Sequence, residues 1–182
     1  MSQVSLSMQR KEVLKVYHAF FHSFLNYGNL LWANQNLNQL LFKKTFRRQK
    51  RAIRILKFGK AIKKQSCRGI FKEFGILTLV SIFILQAAVY AFKHLKMKTN
   101  DSVHSYNTRN KGKIHMLHHE GKSIIYFASL IYNKIPVSIK SEDNQKSFKV
   151  KLKKWLIERE FYSFDEFNTD WEEFLLHNMG AY

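Results

Sequence analysis

A single cysteine, Cys67, leaves no partner for an internal disulfide and no Cys-x-x-Cys pair for a zinc knuckle, which fits a reducing compartment. Cys67 itself reads as a small buried hydrophobe. One proline, Pro136, stands in 182 residues, so long helices can run with few interruptions. Aspartate is scarce too: Asp101, Asp143, Asp165 and Asp170 are the four present, and no two are adjacent. Paired carboxylates for a two-metal reaction are therefore missing, as are a glycine-rich phosphate loop and a nucleophile–base pair. No cofactor and no catalysis by this chain alone are expected. The first ten residues lack the apolar core of a secretion signal, which makes a nuclear or cytoplasmic location the expectation.

The most telling absence is of negative charge. Between residues 41 and 72 there is no Asp or Glu against 13 Lys and Arg. The whole chain carries +18, with 31 basic residues against 13 acids. Residues 1–140 hold 25 basic residues and four acids, a net +21, whereas residues 141–182 hold six and nine, a net −3. A field this one-sided suits a polyanionic partner.

What is present is mostly helical periodicity. Val13, Tyr17, Phe20 and Phe24 recur at spacings of four, three and four, and predict an amphipathic helix from Arg10 to Asn26 with those four on its apolar face. His18 and His22 have the spacing of a helical metal pair. They continue the stripe of Lys11 and Lys15 with no further ligand nearby, and read as part of a solvated face. Leu37 to Phe58 repeats the pattern: Phe42, Phe46, Ile53 and Leu56 face inward, while Lys43, Arg47, Lys50, Arg54 and Lys57 step along the other side. Lys44, Arg48 and Arg51 widen that side. So many cations without i, i+4 acids repel one another in the free helix, so an anion is expected there.

Ile76–Phe92 is the most apolar stretch, 17 residues interrupted mainly by Thr78, Ser81 and Gln86. It is short for a bilayer, which takes about 20 residues. A helix buried on most sides is expected instead. Residues 97–122 lose periodicity and read as a long connection. His115, His118, His119 and Glu120 within it match no familiar metal spacing. A short helix over 123–133 should stop before Pro136, because the residue before a proline avoids the α region. Gln145 to Phe161 predicts another helix, with Phe148, Leu152, Trp155 and Leu156 inward. Ser163 with Glu166 and Thr169 with Glu172 have capping-box spacing. The fold class expected is mainly α, an irregular helical bundle with a loop segment around 97–122, divided as 1–96, 97–122 and 123–182.

Several segments, in this order, resemble the C-terminal, post-catalytic part of jockey-like non-LTR retrotransposon reverse transcriptases. They are His22-Ser23-Phe24-Leu25-Asn26-Tyr27-Gly28 followed by Trp32, then Gln49-Lys50-Arg51-Ala52-Ile53-Arg54, and Cys67-Arg68-Gly69-Ile70-Phe71 leading to Gly75-Ile76-Leu77-Thr78-Leu79. His104-Ser105-Tyr106-Asn107-Thr108-Arg109, Tyr132-Asn133-Lys134-Ile135-Pro136, Phe148-Lys149, Leu152-Lys153-Lys154 and Phe161-Tyr162-Ser163 complete the series. The resemblance covers roughly residues 10–163. It implies a fragment holding the thumb-like helices and the C-terminal helical region of such an enzyme, without the palm aspartates or the endonuclease.

Residue pattern and resemblance together lead to one expectation: sequence-independent binding of RNA or an RNA–DNA duplex along Lys43, Lys44, Arg47, Arg48, Lys50, Arg51, Arg54 and Lys57. Phosphates would be the targets, since no accompanying set of Asn or Gln base readers is evident. Tyr27, Trp32 and Tyr106 are expected to pack inward rather than stack on bases. Docking to a complete reverse transcriptase is a further expectation. The alternatives are a helical protein-interaction module and a membrane-associated basic protein, the latter disfavoured by the length of Ile76–Phe92.

Overall fold

The computed structural model describes residues 10–33, 39–60, 66–96, 99–103, 109–116 and 123–169. They are mainly α-helical, as the periodicities require. Among them there is no strand, and the single β-bridge pairs Thr99 with Ile114. No helix of the described residues is long and apolar enough to cross a membrane. The chain divides into two compact units, one of residues 1–83 and 156–160, the other of residues 84–155 and 161–182.

In the first unit, α1 (Arg10–Val16) runs directly into a π-helical turn (Tyr17–His22) and then α2 (Ser23–Asn26). The π turn changes which residues face inward. A π helix takes about 4.4 residues per turn, so inserting one turn of it stretches the repeat from the α value towards four. The inward residues become Val13, Tyr17, Phe21 and Leu25, evenly spaced by four, with Phe21 half-buried and the other three buried. Phe20 and Phe24 are exposed, contrary to the expectation from α-helical spacing. Tyr17 stacks on Phe21 with ring centroids 5.5 Å apart, and the Ser23 hydroxyl donates to the His18 carbonyl at 3.0 Å. Gly28, at φ 58, opens the short α3 (Asn29–Trp32).

The long basic helix α4 (Gln39–Phe58) buries Phe42, Phe46, Ala52, Ile53 and Ile55. It also buries Gln49, which lies against the ends of two other elements. The Gln49 amide nitrogen donates to the Tyr17 hydroxyl (3.1 Å) and to the Leu77 carbonyl (2.8 Å), while its oxygen accepts from the Leu79 N–H (2.8 Å). Both amide protons and the acceptor are thus used, which is what makes a fully buried glutamine tolerable. Burial pushes the Tyr17 hydroxyl pKa up to about 12, with the Gln49 hydrogen bond opposing the shift.

After α4, the short α5 (Ile70–Glu73) is fixed at both ends. Gly75, at φ 62, closes it: the Gly75 N–H reaches the Lys72 carbonyl and the Ile76 N–H the Phe71 carbonyl, a Schellman pair that needs the left-handed backbone glycine adopts freely. At its start the Glu160 carboxylate accepts from the Gly69 and Lys72 N–H groups, both at 2.6 Å. Glu160 is buried and adopts φ 48, a conformation costly for a residue with a Cβ. Thr78 then caps α6 (Leu79–His94), its hydroxyl oxygen accepting from the Ser81 N–H. Leu79, Val80, Ile82 and Phe83, the part of α6 in this unit, are all buried.

The second unit takes the rest of α6, where Ile84, Leu85, Ala87, Ala88, Ala91 and Phe92 are buried. This helix buried on most sides is what the apolar run predicts. The short α7 (Asn100–Val103) follows the bridge at Thr99. α8 (Ile124–Lys134) begins at Ser123, whose side chain accepts from the Ile125 N–H, and ends at Ile135, held extended at ψ 140 before Pro136. Asn133 pins the preceding loop: its side-chain oxygen accepts from the Ile114 N–H (2.9 Å) and its nitrogen donates to the Ile114 carbonyl (3.1 Å). After α9 (Val137–Lys140), Asn144 caps α10 (Gln145–Arg159) by accepting from the Lys146 N–H at 2.8 Å. Phe148 of α10 stacks on Phe92 at 4.5 Å and lies tilted to Tyr132 at 6.0 Å, the aromatic centre of this unit.

Residues 164–169 form a last helical stretch, and Ser163 with Glu166 makes the expected reciprocal cap. The Ser163 hydroxyl accepts from the Glu166 N–H, while the Glu166 carboxylate accepts from Tyr162, one residue before the usual position. Trp155 is half-buried. Glu172, the partner expected for Thr169, lies outside the described residues, as do Tyr106, His118, His119 and Glu120. His115 is described, with Nδ1 3.0 Å from the Asn100 side-chain oxygen.

Candidate nucleic-acid interface

The eight cations expected to bind all lie on α4, but they do not share one environment. Lys43, Lys44, Arg47, Arg48 and Arg51 are exposed. Among the described residues no side chain of these five takes part in a hydrogen bond or ion pair within the protein. They form two rows at helical spacing, Lys43–Arg47–Arg51 and Lys44–Arg48, across almost the first two thirds of the helix. The inward residues Phe42, Phe46 and Gln49 fix that face towards solvent.

The remaining three cations sit where the segment 66–73 approaches the helix. Lys57 reaches both oxygens of Glu73 at 2.6 Å. Lys50 is half-buried with its ammonium 4.6 Å from the Phe46 ring centroid, and the Cys67 thiol donates to its carbonyl at 3.5 Å. Burial is the chief cause lowering the Lys50 pKa; the neighbouring Arg54 and Arg47 lower it further and the Cys67 sulfur works against them. Burial likewise pushes the Cys67 thiol up, despite Arg54 and Lys50 nearby. Cys67 therefore stays a thiol and a packing residue. Arg54 is half-buried.

Of the eight cations, five are thus exposed with side chains in no pair, Lys57 is exposed but paired with Glu73, and Lys50 and Arg54 are half-buried. Pure periodicity places Lys50, Arg54 and Lys57 in the same stripe as Lys43 and Arg47, and no local signal reveals that a later segment covers one end of the stripe. Conversely, Lys146, Lys149, Lys153 and Lys154 of α10 are exposed and lie outside the expected set.

No group of three or more His, Cys, Asp or Glu side chains that could hold a metal occurs among the described residues. The aromatic residues divide unexpectedly. Trp32 is half-buried, with its indole N–H donating to the Tyr27 carbonyl at 2.7 Å, whereas the Tyr27 side chain is exposed rather than packed. Compared with protein-family models, curated proteins and solved structures, the chain matches none of them.

Proposed function

We propose that this chain binds RNA or an RNA–DNA duplex without sequence preference, in the manner of the thumb and C-terminal helical region of the retrotransposon reverse transcriptases that it resembles. The observation that carries the reading is the row of five solvent-facing cations on α4 with no acid among residues 41–72 to answer them. Like charges at i, i+4 destabilise a helix slightly, so such a row is better accommodated beside phosphates, where each neutralised contact releases a condensed counterion. The ordered series of reverse-transcriptase-like motifs supports the same partner.

The test is the salt dependence of binding to an RNA–DNA duplex of about 20 base pairs. Each phosphate contact contributes about −0.9 to the slope of log affinity against log salt. Arg47 and Arg51 are both exposed and lie in one row. Replacing both with Gln should flatten the slope by roughly two units and weaken binding to all sequences alike. An unchanged slope and affinity would remove α4 as the interface.

A further inference from the structure

The most conspicuous surface left without a role is the one the π turn creates. Phe20 is 75% exposed, Phe24 72%, Tyr27 85% and Leu31 69%, and they follow one another at four, three and four residues. Four bulky apolar or aromatic side chains this solvated within twelve residues mark a binding surface, because monomeric domains seldom expose large apolar patches. Its first three members are planar rings. The turn itself keeps them out: with Val13, Tyr17 and Leu25 occupying the inward positions, the rings of Phe20 and Phe24 have no core to enter.

Charge decides between occupants. The unit that carries the row holds 17 Lys and Arg against four acids, a net +13. A second copy would bring +13 against +13, so self-association through this face is opposed by charge. A partner that is both anionic and rich in flat apolar faces satisfies the rings and the field together. We infer that the Phe20–Phe24–Tyr27 row is a stacking platform for single-stranded nucleic acid, RNA or DNA, so that the first unit takes unpaired bases on its rings as well as a phosphate backbone on α4. Phe20 stands on the π turn, Phe24 on α2 four residues later, and Tyr27 is the extended residue that ends α2, so the three rings stand along one short stretch of chain. Stacking on aromatic rings tolerates every base, in keeping with sequence-independent contact by α4. Bases inside a duplex already stack on each other and cannot use the platform. The inference rests on the nucleic-acid reading above and adds the substrate class: a strand with unpaired nucleotides.

The experiment uses the full chain with two probes, an oligouridylate of about 12 nucleotides and an RNA–DNA duplex of about 20 base pairs. The triple variant Phe20→Leu, Phe24→Leu, Tyr27→Leu keeps the surface apolar and removes its rings. These side chains are exposed, so the fold should persist, and circular dichroism checks that it does. The expected result is a loss of at least about tenfold in affinity for oligouridylate, with duplex affinity and its salt slope kept within about twofold. In a separate variant, Phe24→Trp should retain oligouridylate binding and have its fluorescence quenched when the strand is added. Undiminished oligouridylate binding by the triple variant would overturn the inference, as would an equal loss on both probes. Tight binding of phosphatidylserine vesicles by wild type and triple variant alike, with no ring-dependent binding of oligouridylate, would reassign the row to apolar docking. Because the duplex arm reports on α4 alone, failure of the platform is distinguishable from failure of the α4 interface.

Discussion

The helices α4 and α10 have similar compositions and different buried faces. Each is dense in basic residues, yet α4 keeps a polar side chain, Gln49, on its buried face, whereas the buried side of α10 consists of Phe148, Leu152 and Leu156. On α10, Lys151 pairs with Glu142, and the adjacent Asp143 lies 3.9 Å from Lys96. On α4, Lys57 pairs with Glu73, and the first two thirds of the helix has five exposed cations whose side chains are in no such pair among the described residues. Each helix thus has one exposed cation in an ion pair, Lys57 on α4 and Lys151 on α10, beside exposed cations in none, and the clearest difference between them is the polar Gln49 that α4 buries.

The largest expected effect tests the buried side of α10. Phe148 is fully buried between Phe92 and Tyr132, and Phe148→Ala should lower stability by about 3–5 kcal/mol in urea denaturation, the range for deleting a buried aromatic ring. The corresponding test for α4 is Gln49→Leu, which keeps volume and removes the polar clamp. It strands the Leu79 N–H and the Leu77 carbonyl, so a loss of about 2–4 kcal/mol is expected even though the replacement is more apolar. If Gln49→Leu were neutral or stabilising, the buried side of α4 would be no different in kind from that of α10.

A third test uses pH, because Tyr17 touches that clamp. Its pKa is raised from 10.0 to about 12 in the folded protein, chiefly by burial. Below pH 10 both folded and unfolded forms hold the phenol proton, and its contribution to stability is fully present. Between about pH 10 and 12 the unfolded chain releases the proton while the folded one retains it, so stability falls as pH rises. Two pKa units correspond to about 2–3 kcal/mol at most. Urea midpoints measured from pH 8 to 11.5 should show this decline in the wild type and a shallower one in Tyr17→Phe. Identical declines would mean that Tyr17 does not titrate in a buried site.

Much of this was legible in the amino-acid sequence, and the failures have particular causes. The apolar run of α6, the stop of α8 ahead of Pro136 and the cap at Ser163 and Glu166 follow from local signals, and all appear in the structure. Phe20 and Phe24 fail because periodicity analysis assumes one helical pitch, and a single π turn shifts everything after it. Gln49 reads as a polar residue beside arginines. Its burial depends on Tyr17, Leu77 and Leu79, up to 32 residues away in sequence. Glu160 is harder still: its two backbone donors lie 91 and 88 residues earlier, beyond any local pattern. On α4 the spacing shows where cations stand around the helix, and only the fold shows that the end carrying Lys50 and Lys57 is engaged by the segment 66–73.

The smallest expected effects carry the sharpest form of the comparison, because they differ in sign. Arg47 and Arg51 are exposed, like-charged and four residues apart, so Arg47→Gln should stabilise the free protein slightly, by about 0.2–0.5 kcal/mol at low salt. Gln is nearly as good a helix former as Arg, which leaves charge as the main change. Lys151→Gln removes the ion pair with Glu142, whose partners are 55% and 21% exposed, and should destabilise by no more than about 0.5 kcal/mol. Both changes should fade as salt is raised, since both arise from screened surface charge. Thermal denaturation of the two variants beside the wild type, at low and high salt, resolves the signs. A destabilising Arg47→Gln would mean that Arg47 already has a compensating interaction in the free chain. The self-repulsion that makes an external anion favourable on α4 would then be missing from that row, while the stability of α10 would be unaffected by the result.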